Sequence, residues 1–158
     1  MKKLVAHFSA SGSTARLANT LSAAADAELY EICPAVPYER RDLNWMDKKS
    51  RSTLEMQDKD CRPELADHDA PVADADVIFL GFPIWWYREP SIIDSFLDAY
   101  DLSGKTLIPF FTSGGSQLGE GQGRIETLAR GARVLPGKRF SAKAGEGELL
   151  SWIGSLDL

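Results

Sequence analysis

Phe8-Ser9-Ala10-Ser11-Gly12-Ser13-Thr14 joins the apolar run Leu4 to Phe8 to a helical pattern carried by Leu17, Ala18, Leu21, Ala24 and Ala25. A strand that turns into a helix through one glycine and four hydroxyls is a phosphate cradle. The first turn of a helix leaves backbone N–H groups without intrahelical partners, and its dipole favours an anion. Gly12 gives the loop access to positive φ, which brings those N–H groups to bear on one point. A serine-rich helix cap is the alternative reading of these residues taken alone. No Lys-Ser/Thr pair follows Gly12 and no triple-glycine turn is present, which argues against a P-loop and against a dinucleotide turn.

Further along, Glu28 to Cys33 alternates as a second strand, and Val77 to Phe82 and Thr106 to Phe111 are continuous apolar runs of the kind buried on both faces of a parallel sheet. Pro90 opens a helix with an apolar stripe at Ile92, Ile93, Phe96, Leu97 and Tyr100. A glycine turn after Thr112 leads to a helix with Ile125, Leu128 and Ala129. A last strand from Arg133 to Phe140 is interrupted at Pro136-Gly137 and precedes a helix carrying Leu149, Trp152, Ile153 and Leu156. Strands alternating with helices over 158 residues predict one domain, residues 1–158, with an α/β doubly wound sandwich of five parallel strands. Ligands of such sheets bind beyond the carboxyl ends of the strands, so the loops after Phe8, Phe82 and Phe111 are the ones to inspect.

Two segments depart from the pattern. Pro109 removes a ladder donor inside the fourth strand, which predicts a bulged or shortened strand. Tyr38 to Arg62 holds 13 charged residues in 25 positions, which predicts short helical pieces and irregular chain anchored by Leu43, Trp45 and Leu54.

The chain is 44% hydrophobic and 26% charged, with no apolar run near the roughly 20 residues that a membrane helix needs. It starts directly into a strand, so no signal peptide is expected. Cys33 and Cys61 lack metal-ligand spacing and read as reduced thiols of a cytoplasmic protein. A net charge of −5 argues against nucleic-acid binding. His7 lies mid-strand and reads as a packed residue, and His68, in Asp67-His68-Asp69, reads as part of an exposed connection; neither marks a metal site. There is no Gly-x-Ser-x-Gly elbow and no catalytic side chain to name.

After the third strand, Pro83-Ile84-Trp85-Trp86-Tyr87 puts three aromatics where the core ends. They either plug the sheet end or stack on a flat ligand, a contact worth about 0.5–1.5 kcal/mol beyond its buried area. After the fourth strand, Thr112-Ser113-Gly114-Gly115-Ser116 offers backbone N–H groups without side-chain bulk, or simply opens the next helix.

Taken together, the loops resemble the short-chain flavodoxin-like family. Ser9 to Thr14 fit its phosphate loop, Ser/Thr-x-Ser/Thr-Gly-x-Thr, at every fixed position. Gly81-Phe82-Pro83-Ile84-Trp85-Trp86, Gly104-Lys105 and the stretch with Asn44-Trp45, Ser50-Arg51 and Glu55 extend the likeness over nearly the whole chain.

The resemblance implies strand order 2-1-3-4-5 and noncovalent FMN. Its phosphate would lie on Ser9, Ser11, Gly12, Ser13 and Thr14, its ribityl chain near Pro83, Ile84 and Thr112. Its ring would lie between Trp85, Trp86, Tyr87 and Ser113, Gly114, Gly115, Ser116. Arg51 and Glu55 read as solvated ion-pair residues. Only Glu89 and Glu120 stand near the ring in sequence, in place of a flavodoxin's dense acidic rim. Three functions follow: an electron carrier serving a redox partner protein or a small-molecule acceptor; an FMN-dependent NAD(P)H:quinone reductase; or a non-redox binding module with a degenerate cofactor site. A monomer or weak dimer, with no nucleic-acid or membrane partner, is expected.

Overall fold

A computed structural model describes all 158 residues. Strands β1 (Lys3–His7), β2 (Glu28–Glu31), β3 (Val77–Pro83), β4 (Thr106–Thr112), β5 (Arg133–Val134) and β6 (Lys138–Phe140) form one sheet. Its order is β2-β1-β3-β4-β5, with β6 also on β4, and every pairing is parallel. The predicted fifth strand is therefore present in two pieces. Helices α1 (Ser13–Ala25) and α5 (Glu146–Ser155) cover one face; α3 (Ser91–Ala99) and α4 (Gly121–Leu128) cover the other.

Alternation along each strand divides the core. Val5, Phe79, Ile108 and Phe110 pack against Leu17 and Leu21 of α1 and Leu149 and Trp152 of α5. Leu4, Ala6, Phe8, Leu80, Phe82 and Phe111 pack against Ile92, Ile93 and Phe96 of α3 and Ile125 of α4. Gly81 has a steric reason: a Cβ there would stand 2.2 Å from the Phe110 ring, its neighbour in register on β4.

Pro109 neither bulges nor shortens β4, contrary to the reading from sequence. The register with β3 runs unbroken from Val77↔Thr106 to Pro83↔Thr112. The carbonyls of Lys105 and Leu107 accept from Arg133 and Leu135 N–H, so alternation turns the Pro109 nitrogen to that same side. There the neighbouring strand is itself interrupted between Val134 and Lys138, and the Leu135 carbonyl accepts from Gln122 Nε2 at 3.1 Å.

The charged segment folds into a 3-10 turn, Arg40–Leu43, and helix α2 (Arg51–Gln57), but two of its expected anchors are wrong. Trp45 is 71% and Leu54 54% exposed, and only Leu43 of the three is half-buried. Small polar residues do the anchoring. Ser50 caps α2 by accepting from Thr53 N–H, and Ser50, Ser52, Thr53 and Met56 are buried.

Candidate functional site

The start of α1 is open. Gly12, at φ 94°, precedes the helix with no side-chain cap, and no acidic residue stands in the first turn. The N–H groups of Ser13, Thr14 and Ala15 thus have no intrahelical partner. Nothing lies within 4 Å of where a Gly12 Cβ would stand. Ser9 Oγ accepts from Gly12 N–H at 3.1 Å, which holds the loop curled while Ser11 remains exposed and Ser13 half-buried. This donor set and its free space fit a phosphate dianion.

Thr112 ties the three loops together. Its hydroxyl lies 2.8 Å from that of buried Thr14, and its carbonyl accepts from Ile84 N–H at 3.1 Å. Pro83 and Ile84 are half-buried at the head of β3, beside this junction.

From there the aromatic loop makes a two-residue turn. Trp85 and Arg88 exchange both backbone hydrogen bonds, at 3.0 and 3.2 Å. The two residues between them have positive φ: Trp86 at 47° and Tyr87 at 64°. That is type I′ geometry, normally built from Asn and Gly, so two aromatics in it hold backbone strain on the order of 1–3 kcal/mol each. Trp85 is half-buried, edge-on to Phe8 and Tyr38 with ring centroids 5.7 and 5.5 Å away, while Trp86 and Tyr87 are exposed. One aromatic thus supports the sheet end and two face outward. Ile84, Trp85 and Trp86, with Leu43, Trp45 and Ser52, line an open apolar cavity of about 250 Å³.

The loop after β4 is clamped. Arg139 of β6 donates three hydrogen bonds to Ser113, two to its carbonyl at 2.8 and 3.1 Å and one to its hydroxyl at 3.2 Å. The Ser113 hydroxyl donates in turn to Ser116 O at 2.6 Å, so its hydrogen bonds close the loop on itself. Gly114, Gly115 and Ser116 are exposed, and they leave this loop's backbone bare.

Two expectations about charge fail. Arg51 and Glu55 are not solvated: the Arg51 guanidinium covers the Tyr38 ring at 3.8 Å and pairs with Glu55 at 3.1 Å, and Glu55 accepts from the Tyr38 hydroxyl. Burial pushes the Tyr38 phenol up, and that bond adds to it. Glu89 is no rim residue. It is fully buried with Arg88 and Asp94, and Arg124 of α4 reaches both carboxyls. Sequence reading missed Arg88, Asp94, Arg124 and Arg139. The one local signal was a charged pair, Arg88-Glu89, pressed between an aromatic run and Pro90.

An open α1 start joined to an aromatic turn and a glycine loop at the carboxyl ends of β1, β3 and β4 defines a flavodoxin-like α/β protein. The chain belongs to the flavodoxin family: the family model Flavodoxin_4, described as flavodoxin, matches residues 2–156. A candidate flavoprotein from Bacteroides uniformis is 42% identical, with 98% of each chain covered and a TM-score of 0.92. Another from Bacteroides eggerthii is 39% identical over 99% of this chain and 98% of its own, with a TM-score of 0.93. A flavoprotein from Lactobacillus acidophilus, solved in complex with FMN, is 23% identical over 96% of this chain and 98% of its own, with a TM-score of 0.75. Comparison with curated proteins finds no match. No helix is long and apolar enough to cross a membrane.

Proposed function

We propose that this chain is an FMN-binding redox protein of the flavodoxin type that acts as an electron carrier. The observation that carries the reading is the uncapped α1 start, bound through Thr14 and Thr112 to the loops that would flank a ring. Backbone N–H groups of Ser13 and Thr14, with the Ser9, Ser11 and Ser13 hydroxyls, hold the phosphate; Gly12 allows its approach. Pro83, Ile84 and Thr112 border the ribityl chain. Trp85 backs the site, Trp86 and Tyr87 supply aromatic faces, and Gly114 to Ser116 supply backbone donors for the polar edge of the ring. FMN, when bound, supplies reversible electron transfer, and the protein sets its orientation and electrostatics. Neutral donors near the pyrimidine edge stabilise charge that develops there on reduction. The carrier reading also supposes a redox partner protein that meets the exposed Trp86–Tyr87 turn.

One feature favours a second reading. The cavity between Trp45 and Trp86 has room for a small flat acceptor, which suits an FMN-dependent NAD(P)H:quinone reductase. Titration of the apo-protein with FMN, followed by flavin and tryptophan fluorescence, tests the common ground: stoichiometric quenching is expected, and absence of binding removes both readings. Steady NAD(P)H oxidation with a quinone and no added reductase selects the second.

A further inference from the structure

The strained turn ends in a buried charge cluster. Arg88, which closes the turn, is 1% exposed, and Glu89 and Asp94 are 0% exposed. Arg88 Nη1 donates to the Glu89 carbonyl at 3.1 Å and lies 3.5 Å from Asp94 Oδ2. Its Nη2 donates to the Met56 carbonyl of α2 at 3.1 Å. From α4, Arg124 donates to Glu89 Oε2 at 3.2 Å and to Asp94 Oδ2 at 2.6 Å. Arg62, between α2 and β3, stands 3.8 Å from Asp94 and 2.6 Å from Asp98. Lys59 and Glu120 pair with each other at 2.8 Å, outside the carboxyl pair.

Every donor in the cluster points at one side of the two carboxyls. Glu89 Oε1 and Asp94 Oδ1, both buried, have no partner at all. The start of α4 closes over the first of them: a Cβ on Gly121 would stand 3.0 Å from Glu89 Oε1. Two orphaned carboxylate oxygens are costly in so dry a place. One proton on the pair removes one of the two buried charges and supplies an O–H donor where there is none, between two carboxyls held on the same Arg124 guanidinium.

We propose that Glu89 and Asp94 share one proton, and that this proton keeps the Trp86–Tyr87 turn in the shape that receives the flavin, making Glu89 a positioning residue for cofactor binding. The inference rests on the FMN reading above. Loss of the proton sets two carboxylates against each other and pulls on Arg88, whose backbone closes the turn. A turn already held at positive φ by its surroundings gives way readily. Burial, and then Asp94, push the Glu89 carboxyl up to about 8. The folded protein therefore still holds the proton at pH 6.5, and the stability it contributes, complete below the ordinary carboxyl range, is lost as pH rises through about 8.

FMN dissociation constants measured by fluorescence at pH 6.5 and 9.5 for wild type and Glu89→Gln test this. Wild type weakens about tenfold or more at the higher pH, whereas Glu89→Gln, neutral at both, changes by less than about twofold. Titration of the flavin itself is common to both proteins. An equal pH response in the two overturns the proposal. Asp94→Asn, which also removes the repulsion, is expected to flatten the response and serves if Glu89→Gln fails to fold. The urea midpoint of the apo-proteins over the same range separates the two ideas. A fall through pH 8 in wild type alone supports the shared proton even if FMN does not bind, while a flat wild-type profile overturns it. Absence of FMN binding at both pH values overturns the positioning role together with the functional reading.

Discussion

Thr14 and Thr112 stand 98 residues apart in the chain and 2.8 Å apart in space, hydroxyl to hydroxyl, at the junction of β4 with the α1 loop. Both are buried, so removing one hydroxyl strands the other. Thr14→Val or Thr112→Val should each lower unfolding free energy by about 1–3 kcal/mol in urea titrations. The double variant should cost clearly less than the sum of the two. Strict additivity would mean that the pair contributes nothing as a pair.

Ser11→Asp separates phosphate binding from stability. A carboxylate at the start of a helix stabilises it by about 0.3–1 kcal/mol, and α1 has no acidic residue in its first turn. The same charge repels a phosphate dianion in the cradle. The variant should therefore hold or gain stability while its FMN affinity drops by several kcal/mol. Unchanged FMN binding would place the phosphate elsewhere.

Tyr87→Gly should make the protein more stable. Glycine relieves the positive φ of 64°, and after the added freedom of the unfolded chain about 1 kcal/mol should remain. The urea midpoint should rise at constant slope. If FMN affinity falls in the same variant, the aromatic is retained for the ligand rather than for the fold.

His7 predicts a pH effect of its own. It is 3% exposed with Nδ1 unpartnered, and burial holds its pKa below the usual histidine value against the opposing pull of Glu31. The neutral form is the one that folds. Stability from this group is complete above about 6.5 and is lost as pH falls toward the depressed folded value. Urea midpoints for wild type should therefore drop relative to His7→Gln between pH 7.5 and 5. Taking the difference between the two proteins cancels the opposite trend from Glu89.

Local pattern made much of this molecule readable. Ser9 to Thr14, the apolar run from Val77, Pro90 ahead of an apolar stripe and the break at Pro136-Gly137 each announce themselves within a dozen residues, and each stands in the fold as read. The failures share a cause. Trp45 and Leu54 carry an apolar signal but belong to a short segment whose burial depends on what it meets, and it is Ser52 and Met56 that face inward. Arg88 finds its partners in α2 and α3, Arg124 reaches the same carboxyls from α4, and no spacing in the sequence brings those together. Charged residues read by default as solvated, so a buried network of them is the feature a single sequence hides best. Pro109 leaves β4 intact because its effect depends on the neighbouring strand rather than on its own.

The split between β5 and β6 reaches beyond the accommodation of one proline. An edge strand is a template on which another chain can add, and here that template is only two residues, then Pro136, then three more beginning with Lys138 and Arg139. The opposite edge, β2, is four residues long and begins and ends with glutamate. Neither margin offers a run long or apolar enough for a foreign strand to extend. The sheet is closed to growth in both directions, and contact with other molecules is left to its helical faces and to the loops at the carboxyl ends of its strands.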